Sequence, residues 1–535
     1  MVIATLRGCA GEKSEGKIIV LKRVTVTGAL VVTLGLASSL AAAADRPATP
    51  ADSRDHATID VVIDEPTWAK LHDPQRRVPA PVPPLPQVPP NREHARPGVL
   101  PQFGRAEAED TARRNAASHD QRSMLPAQGG GAPAGVPTTY GPVPIGDEPH
   151  PVSKDCLAGD GAESGFGRIH DRFNYCQRAE VEMRFFRRLP VLGRTYVGSN
   201  YFTYEIYGQG DNLQRRARTF AHVIPDSVKY RNWSLLDLVL VAPNINLTID
   251  LNCVDTGCNS TPGPVTMSFT AWDHSTRWYY WDLYNNEGSA PSRDKVSYGR
   301  FALSALVSGE GFVPTKTYTS DARMVRCDSA DYFGKGTARY PKACIFNEVI
   351  PHLTYQQVGP HASVAAHIKT AQDTPNAVWP KLAPAGQPEP RDKRIPGKYI
   401  SGDWRAAGLH RVEGDDSDPN YKENGKVKDG ACYLDGPYKE VFALTGLPSP
   451  GGPGRPDTTV QDCDEYPFAS TREGAADNYW TQGTHRWDFS VRAVPLGENR
   501  SAGTALKNYY VDDRMLRYDA QYAEPENDRF YVAIK

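Results

Sequence analysis

The spacing of apolar and polar positions changes character along the chain. Basic Lys17, Lys22 and Arg23 precede an apolar run from Val24 to Leu40, and the small residues Ala41 to Ala44 follow before Asp45. A run of about 17 residues diluted by Thr, Gly and Ser is short for a membrane span and predicts an export signal over 1–44, with cleavage near Ala43 or Ala44. From 45 to 150 bulky apolar residues are sparse, and PAPVPPLPQVPP (79–90) and QGGGAPAGVP (128–137) predict an exposed, disordered spacer. A short helix over Ala106–Asn115 is the one element its pattern would allow.

From 151 to 357 short runs such as VEMRFFRR, TYVGSNYFTYEIYG, LLDLVLVAP, INLTIDLNC and VTMSFTAW alternate between faces and are broken by turn residues. That pattern predicts an all-β antiparallel sandwich. Residues 358–535 mix a helix-compatible SVAAHIKTAQ (363–372), long Gly/Pro/Asp loops and a closing strand RFYVAIK (529–535), the signature of an α+β domain. The chain therefore reads as multidomain, with two folded domains behind a signal and a spacer.

Composition changes that picture little. With 61 Lys+Arg against 63 Asp+Glu the chain is no histone-like polycation, so any polyanion must be met by a local patch. Signal removal takes away five basic and two acidic residues and moves the formal net charge from −2 to −5. Arg472, Arg486, Arg492, Arg500, Lys507, Arg514 and Arg517 are the candidates for such a patch.

Cys9 leaves with the signal, and eight cysteines remain: Cys156, Cys176, Cys253, Cys258, Cys327, Cys344, Cys432 and Cys463. An even number in an exported chain suggests disulfides, and pairing each cysteine with its neighbour in sequence closes the shortest loops. Without a C-x-x-C or suitably spaced histidines, zinc is the weaker reading. In the β-region Trp272, Trp278, Tyr279, Tyr280, Trp281 and Tyr284 would form either a platform that stacks sugars, as of a cell-wall or glycan ligand, or nucleobases, or, as the pattern favours, core and cross-strand packing. Asp250, Asp255, Asp273 and Asp282 follow no calcium-loop spacing.

The chemistry concentrates near the C-terminus. Asp462-Cys463-Asp464-Glu465-Tyr466-Pro467 is followed by Glu473-Gly474, then by the strand-like FSVRAVP (489–495) and by Asn499-Arg500 with Gly503. The expected layout is strand, loop, strand and a helix opening at Asn499, whose amide oxygen can serve as a helix cap or as a ligand for a hard cation. His367 and His410 are acid/base candidates, although an isolated histidine is more often structural. Trp480 and Trp487 are expected to pack a small core.

These residues resemble the motif of the secreted bacterial deoxyribonucleases called NucA/NucB: an Asp-x-Asp-Glu-(Trp/Tyr)-Pro element, a Glu-Gly, an Asn-Arg with a nearby Gly, and a closing strand. An insertion over Val511–Asp528 and the cysteine between the two aspartates depart from the pattern. The resemblance implies a ββα-metal-like nuclease domain in which Asp464 activates water. It further implies Asn499, with Glu465 as a further ligand, holding Mg²⁺ or Mn²⁺, with Ca²⁺ admissible, while Arg472 and Arg500 grip phosphate; Asn508, nine residues past Asn499 and so on roughly the same helix face, is a second-ligand candidate by spacing alone. Asp464, Glu465, Asn499 and Arg500 are thus the catalytic candidates. The implied activity is a secreted, metal-dependent, sequence-nonspecific DNA endonuclease, monomeric and free of the membrane after signal cleavage. The rival is a non-catalytic cell-surface or carbohydrate-binding protein that uses the aromatic β-region; a third reading is a delivered toxin.

Overall fold

In a computed structural model the described residues are 57–72 and 145–535, apart from 160, 191–192, 256–257, 288–291, 336–337, 381–391, 404–405, 416, 444–455, 478–486 and 521–526. The export-signal and Ala106–Asn115 readings, together with Trp480 and Arg486, lie outside them. Among the described residues no helix is long and apolar enough to cross a membrane.

The architecture is mostly β-sheet with a few helices. A long hairpin, Asn174–Leu189 against Gly193–Gly210, anchors a nine-stranded sheet, and Ser297–Val307 lies at the centre of a six-stranded one. Side chains from both sheets, including Phe185, Tyr204, Leu251, Trp281, Phe301 and Val325, share one apolar core. Trp272, Tyr279, Tyr280 and Trp281 are buried, so these rings pack the interior and form no open platform. Asp282 is fully buried and engaged by Arg218, and Asp255 by Arg300, which accounts for those carboxylates without calcium.

Two expectations need correction. Residues 57–63, assigned to the spacer, form a strand whose Ile59, Val61 and Ile63 alternate into the core; the period-two pattern of ATIDVVI outweighs the polar composition around it. That strand runs parallel to 181–187, so the sheet is not wholly antiparallel. Likewise His352–Tyr355, assigned to the sandwich, pairs in parallel with the C-terminal strand Arg529–Ile534, alongside Leu409–His410.

The eight cysteines lie at bonding distance as 156–176, 253–258, 327–344 and 432–463. The last joins the helix Pro419–Tyr433 to the strand Gln461–Tyr466 inside a small core with Phe442, Trp487 and Phe489.

The β-sheets and the C-terminal region are joined by buried ion pairs. Asp528 accepts from Arg172 Nη2 at 2.8 Å and pairs with Arg326, while Arg514 Nη2 meets Asp328 at 2.6 Å. All three guanidiniums are almost wholly buried. Burial alone would push the Asp528 carboxyl up, yet the charges of Arg172 and Arg326 hold it at about 2. The insertion over 511–528 thus supplies docking contacts to the sheets, and Arg514 is withdrawn from the expected basic patch.

Candidate active site

The strand Gln461–Tyr466 pairs antiparallel with Ser490–Pro495, which runs directly into the helix Leu496–Asp512. Pro495, whose ring fixes φ near the helical value, stands at the junction. The helix therefore opens at Leu496, and Asn499 sits a turn inside it rather than at its cap. Its inner face, Ala502, Ala505, Leu506 and Tyr509, packs against Tyr355, Val364, Ile368 and Val494 in one core.

Asp464, Glu465, Asn499 and Asn508 all line one cavity of about 830 Å³. Asp464 is buried, and its Oδ2 lies 2.6 Å from Nδ1 of His367, whose Nε2 lies 2.7 Å from Ser490 Oγ. His367 projects from the helix Ala362–Asp373 on the same face as Val364, Ala365, Ile368 and Ala371, and is buried with them. With both ring nitrogens engaged, this imidazole can orient the Asp464 carboxylate but is not among the residues facing the cavity. The sequence signal for it was a polar residue set within an apolar helical stripe.

Burial pushes the Glu465 carboxyl up to about 7, with Lys428 pulling it the other way. Burial likewise raises Asp512, a further lining residue, to about 7. Glu413, Asp415 and Arg411 also face the cavity. Sequence reasoning missed these four, because they come from loops and from the far end of the helix. Arg500 is exposed and lies 3.4 Å from Asp462, and Arg472 sits over the Tyr518 ring with Asp477 at 3.7 Å; neither lines the cavity.

The Glu473-Gly474 pair has a visible packing role. Glu473 accepts from the backbone N–H of His410 at 2.8 Å and lies 2.7 Å from its Nδ1. The Asn424 amide donates to the carbonyls of Ala469 and Thr471 and accepts from Ala476 N–H. A Cβ on residue 474 would come within 2.3 Å of that amide, so only glycine fits.

Among the described residues no three His, Cys, Asp or Glu side chains converge as a ready metal cage. The donors that do face the cavity are carboxylate and carboxamide oxygens, which suit a hard ion that keeps much of its own water, as Mg²⁺ does. Five carboxylates, Arg411 and Lys507 line the cavity, two of those carboxylates with their proton affinity raised by burial.

Oxygen donors and a buried carboxylate thus lie together where a strand pair feeds a helix. Residues 449–522, which span these elements, match the family model Deoxyribonuclease NucA/NucB. The chain carries a C-terminal domain of that family, and the match supports a DNA nuclease. No curated protein matches the chain.

Proposed function

We propose that the protein is an exported, divalent-metal-dependent, sequence-nonspecific DNA endonuclease whose active centre is the 830 Å³ cavity. The observation that carries this reading is the buried Asp464, fixed by His367 and facing the same cavity as Glu465 and Asn499, within the segment that matches the family model. The proposed domain organisation remains a signal over 1–44, a spacer beyond it, a β-sheet region and a nuclease region, the last two packed together.

Asn499 and Glu465 would hold the ion, with Asn508 at the outer end of the helix as a further donor. A bound divalent ion supplies charge neutralisation at the non-bridging and leaving oxygens of the phosphodiester. Asp464 accepts a proton from water as the water oxygen forms its bond to phosphorus and the bond from phosphorus to the leaving 3′ oxygen breaks. Aspartate is a weak base, with a reference pKa near 3.9, so its orientation matters: the His367 contact leaves one carboxylate oxygen occupied and aims the other. Four disulfide-distance cysteine pairs are consistent with an oxidising compartment.

The binding-protein reading draws less support, because four of the six aromatic rings it invokes, Trp272, Tyr279, Tyr280 and Trp281, are buried. The test is incubation of the purified chain with supercoiled plasmid and Mg²⁺, Mn²⁺ or Ca²⁺, beside EDTA and Asp464→Ala controls. Ion-dependent nicking lost in both controls is expected. Intact plasmid with every ion would overturn the proposal.

A further inference from the structure

Arg411 stands out among the buried charges of the molecule. It is only 9% exposed, yet it faces the cavity that holds Asp464, Glu465 and Asn499. Its Nη1 donates to the Met515 carbonyl at 2.9 Å, and its guanidinium lies 5.2 Å from the Tyr332 ring, 5.0 Å from Phe333 and 5.0 Å from Tyr510. Among the described residues no carboxylate pairs with it, and its other N–H groups have no acceptor. The nearby Asp294 is occupied instead by the Tyr332 hydroxyl at 2.6 Å and by Arg293.

Burying a guanidinium without an anion is costly, and three aromatic faces offset only part of that cost. Arg472 and Arg500, expected from the sequence to grip phosphate, lie outside the cavity, whereas this cation lines it and is held by the Met515 carbonyl and three rings. Tyr332 is itself held in place, since its hydroxyl also accepts from the Arg517 backbone N–H at 2.9 Å.

We propose that Arg411 is the phosphate-binding residue of the cavity, gripping non-bridging oxygens of the nucleic-acid backbone, and that the β-sheet region builds this subsite by supplying Tyr332 and Phe333 as its aromatic wall. The inference rests on the nuclease reading and adds a substrate contact to it. It also gives the β-region a part in substrate binding that does not require a glycan.

The experiment uses the full mature chain, Arg411→Met and Arg411→Lys. Binding to a labelled duplex of about 20 base pairs is followed in EDTA between about 50 and 200 mM salt, and cleavage is followed separately with Mg²⁺. For Arg411→Met the slope of log affinity against log salt should shrink by about 0.9, the value of one phosphate contact on duplex DNA. Its kcat/KM should fall roughly 10- to 100-fold, as expected for a lost charge-assisted hydrogen bond. Arg411→Lys should retain the slope and still lose cleavage, because a point charge replaces the fork. Wild-type slope and cleavage in both variants would overturn the inference and leave the nuclease reading standing. Should Arg411→Met lose its near-ultraviolet circular dichroism, Arg411→Lys decides, and wild-type kcat/KM there overturns the inference. A wild-type chain that neither binds nor cleaves DNA would overturn both.

Discussion

Arg218 in the β-region and Arg411 in the C-terminal region are both buried and both lie against aromatic rings, yet they differ in what answers their charge. Arg218 meets both oxygens of Asp282 at 2.7 Å and stacks 3.9 Å from Tyr280. Arg411 has one backbone carbonyl, three rings and an open cavity. The same contrast holds for carboxylates: Asp282 and Asp328 are locked to arginines, whereas Glu465 and Asp512 face the cavity with their proton affinity raised by burial. A buried charge that is fully paired is scaffold, and one left without its counter-charge is the natural candidate for binding.

The most damaging way to break the comparison is to unpair a scaffold charge. Asp282→Ala would leave Arg218 with only the Gly146 carbonyl and the exposed Asp147 as partners and should cost about 3–5 kcal/mol in urea unfolding, the range for removing one partner of a buried pair. An unchanged urea midpoint would show that the pair is dispensable. Within the cavity, Asn499→Ala should weaken Mn²⁺ binding roughly 10- to 100-fold by calorimetry at little cost in thermal stability, since no core contact is lost. Undiminished Mn²⁺ affinity would remove Asn499 from the ion site.

Acid sharpens the scaffold side. The Asp528 carboxyl is held at about 2 against an ordinary 3.8, so its stabilisation is complete above about pH 4 and is lost as pH falls towards 2. That amounts to about 2 kcal/mol at neutral pH, and Asp528→Asn should remove this part of the acid dependence of the urea midpoint. The smallest effect is expected at Arg500, whose exposed contact with Asp462 is worth less than about 1 kcal/mol. Arg500→Ala should leave kcat/KM within about fivefold of wild type, a change equivalent to that energy. A larger loss would place it on the substrate path.

Local pattern made much of this legible. The helix expected over 363–372 is Ala362–Asp373, because Val364, Ala365, Ile368 and Ala371 recur at helical spacing. The closing strand and the four short-range cysteine pairs follow from equally local signals. What was not legible is what joins distant parts of the chain. His367 and Asp464 are 97 residues apart, Arg172 and Asp528 are 356 apart, and the rings around Arg411 come from both regions. Periodicity shows which face of an element is buried, but it does not name the partner across the core. The phosphate contacts assigned from the motif, Arg472 and Arg500, lie outside the cavity for that reason: sequence proximity to Asp464 and Asn499 did not fix the direction of their side chains.

The central claim is that Asp464 is the proton acceptor of a nuclease centre. Asp464→Asn tests it most directly, since asparagine preserves the shape of the side chain and can still contact His367, but cannot take the proton. The account predicts that this variant keeps the thermal midpoint within a few degrees of wild type while Mg²⁺-dependent plasmid nicking falls by about 10²- to 10⁴-fold, the usual worth of a positioned base. A folded Asp464→Asn protein that nicks plasmid at the wild-type rate would contradict it.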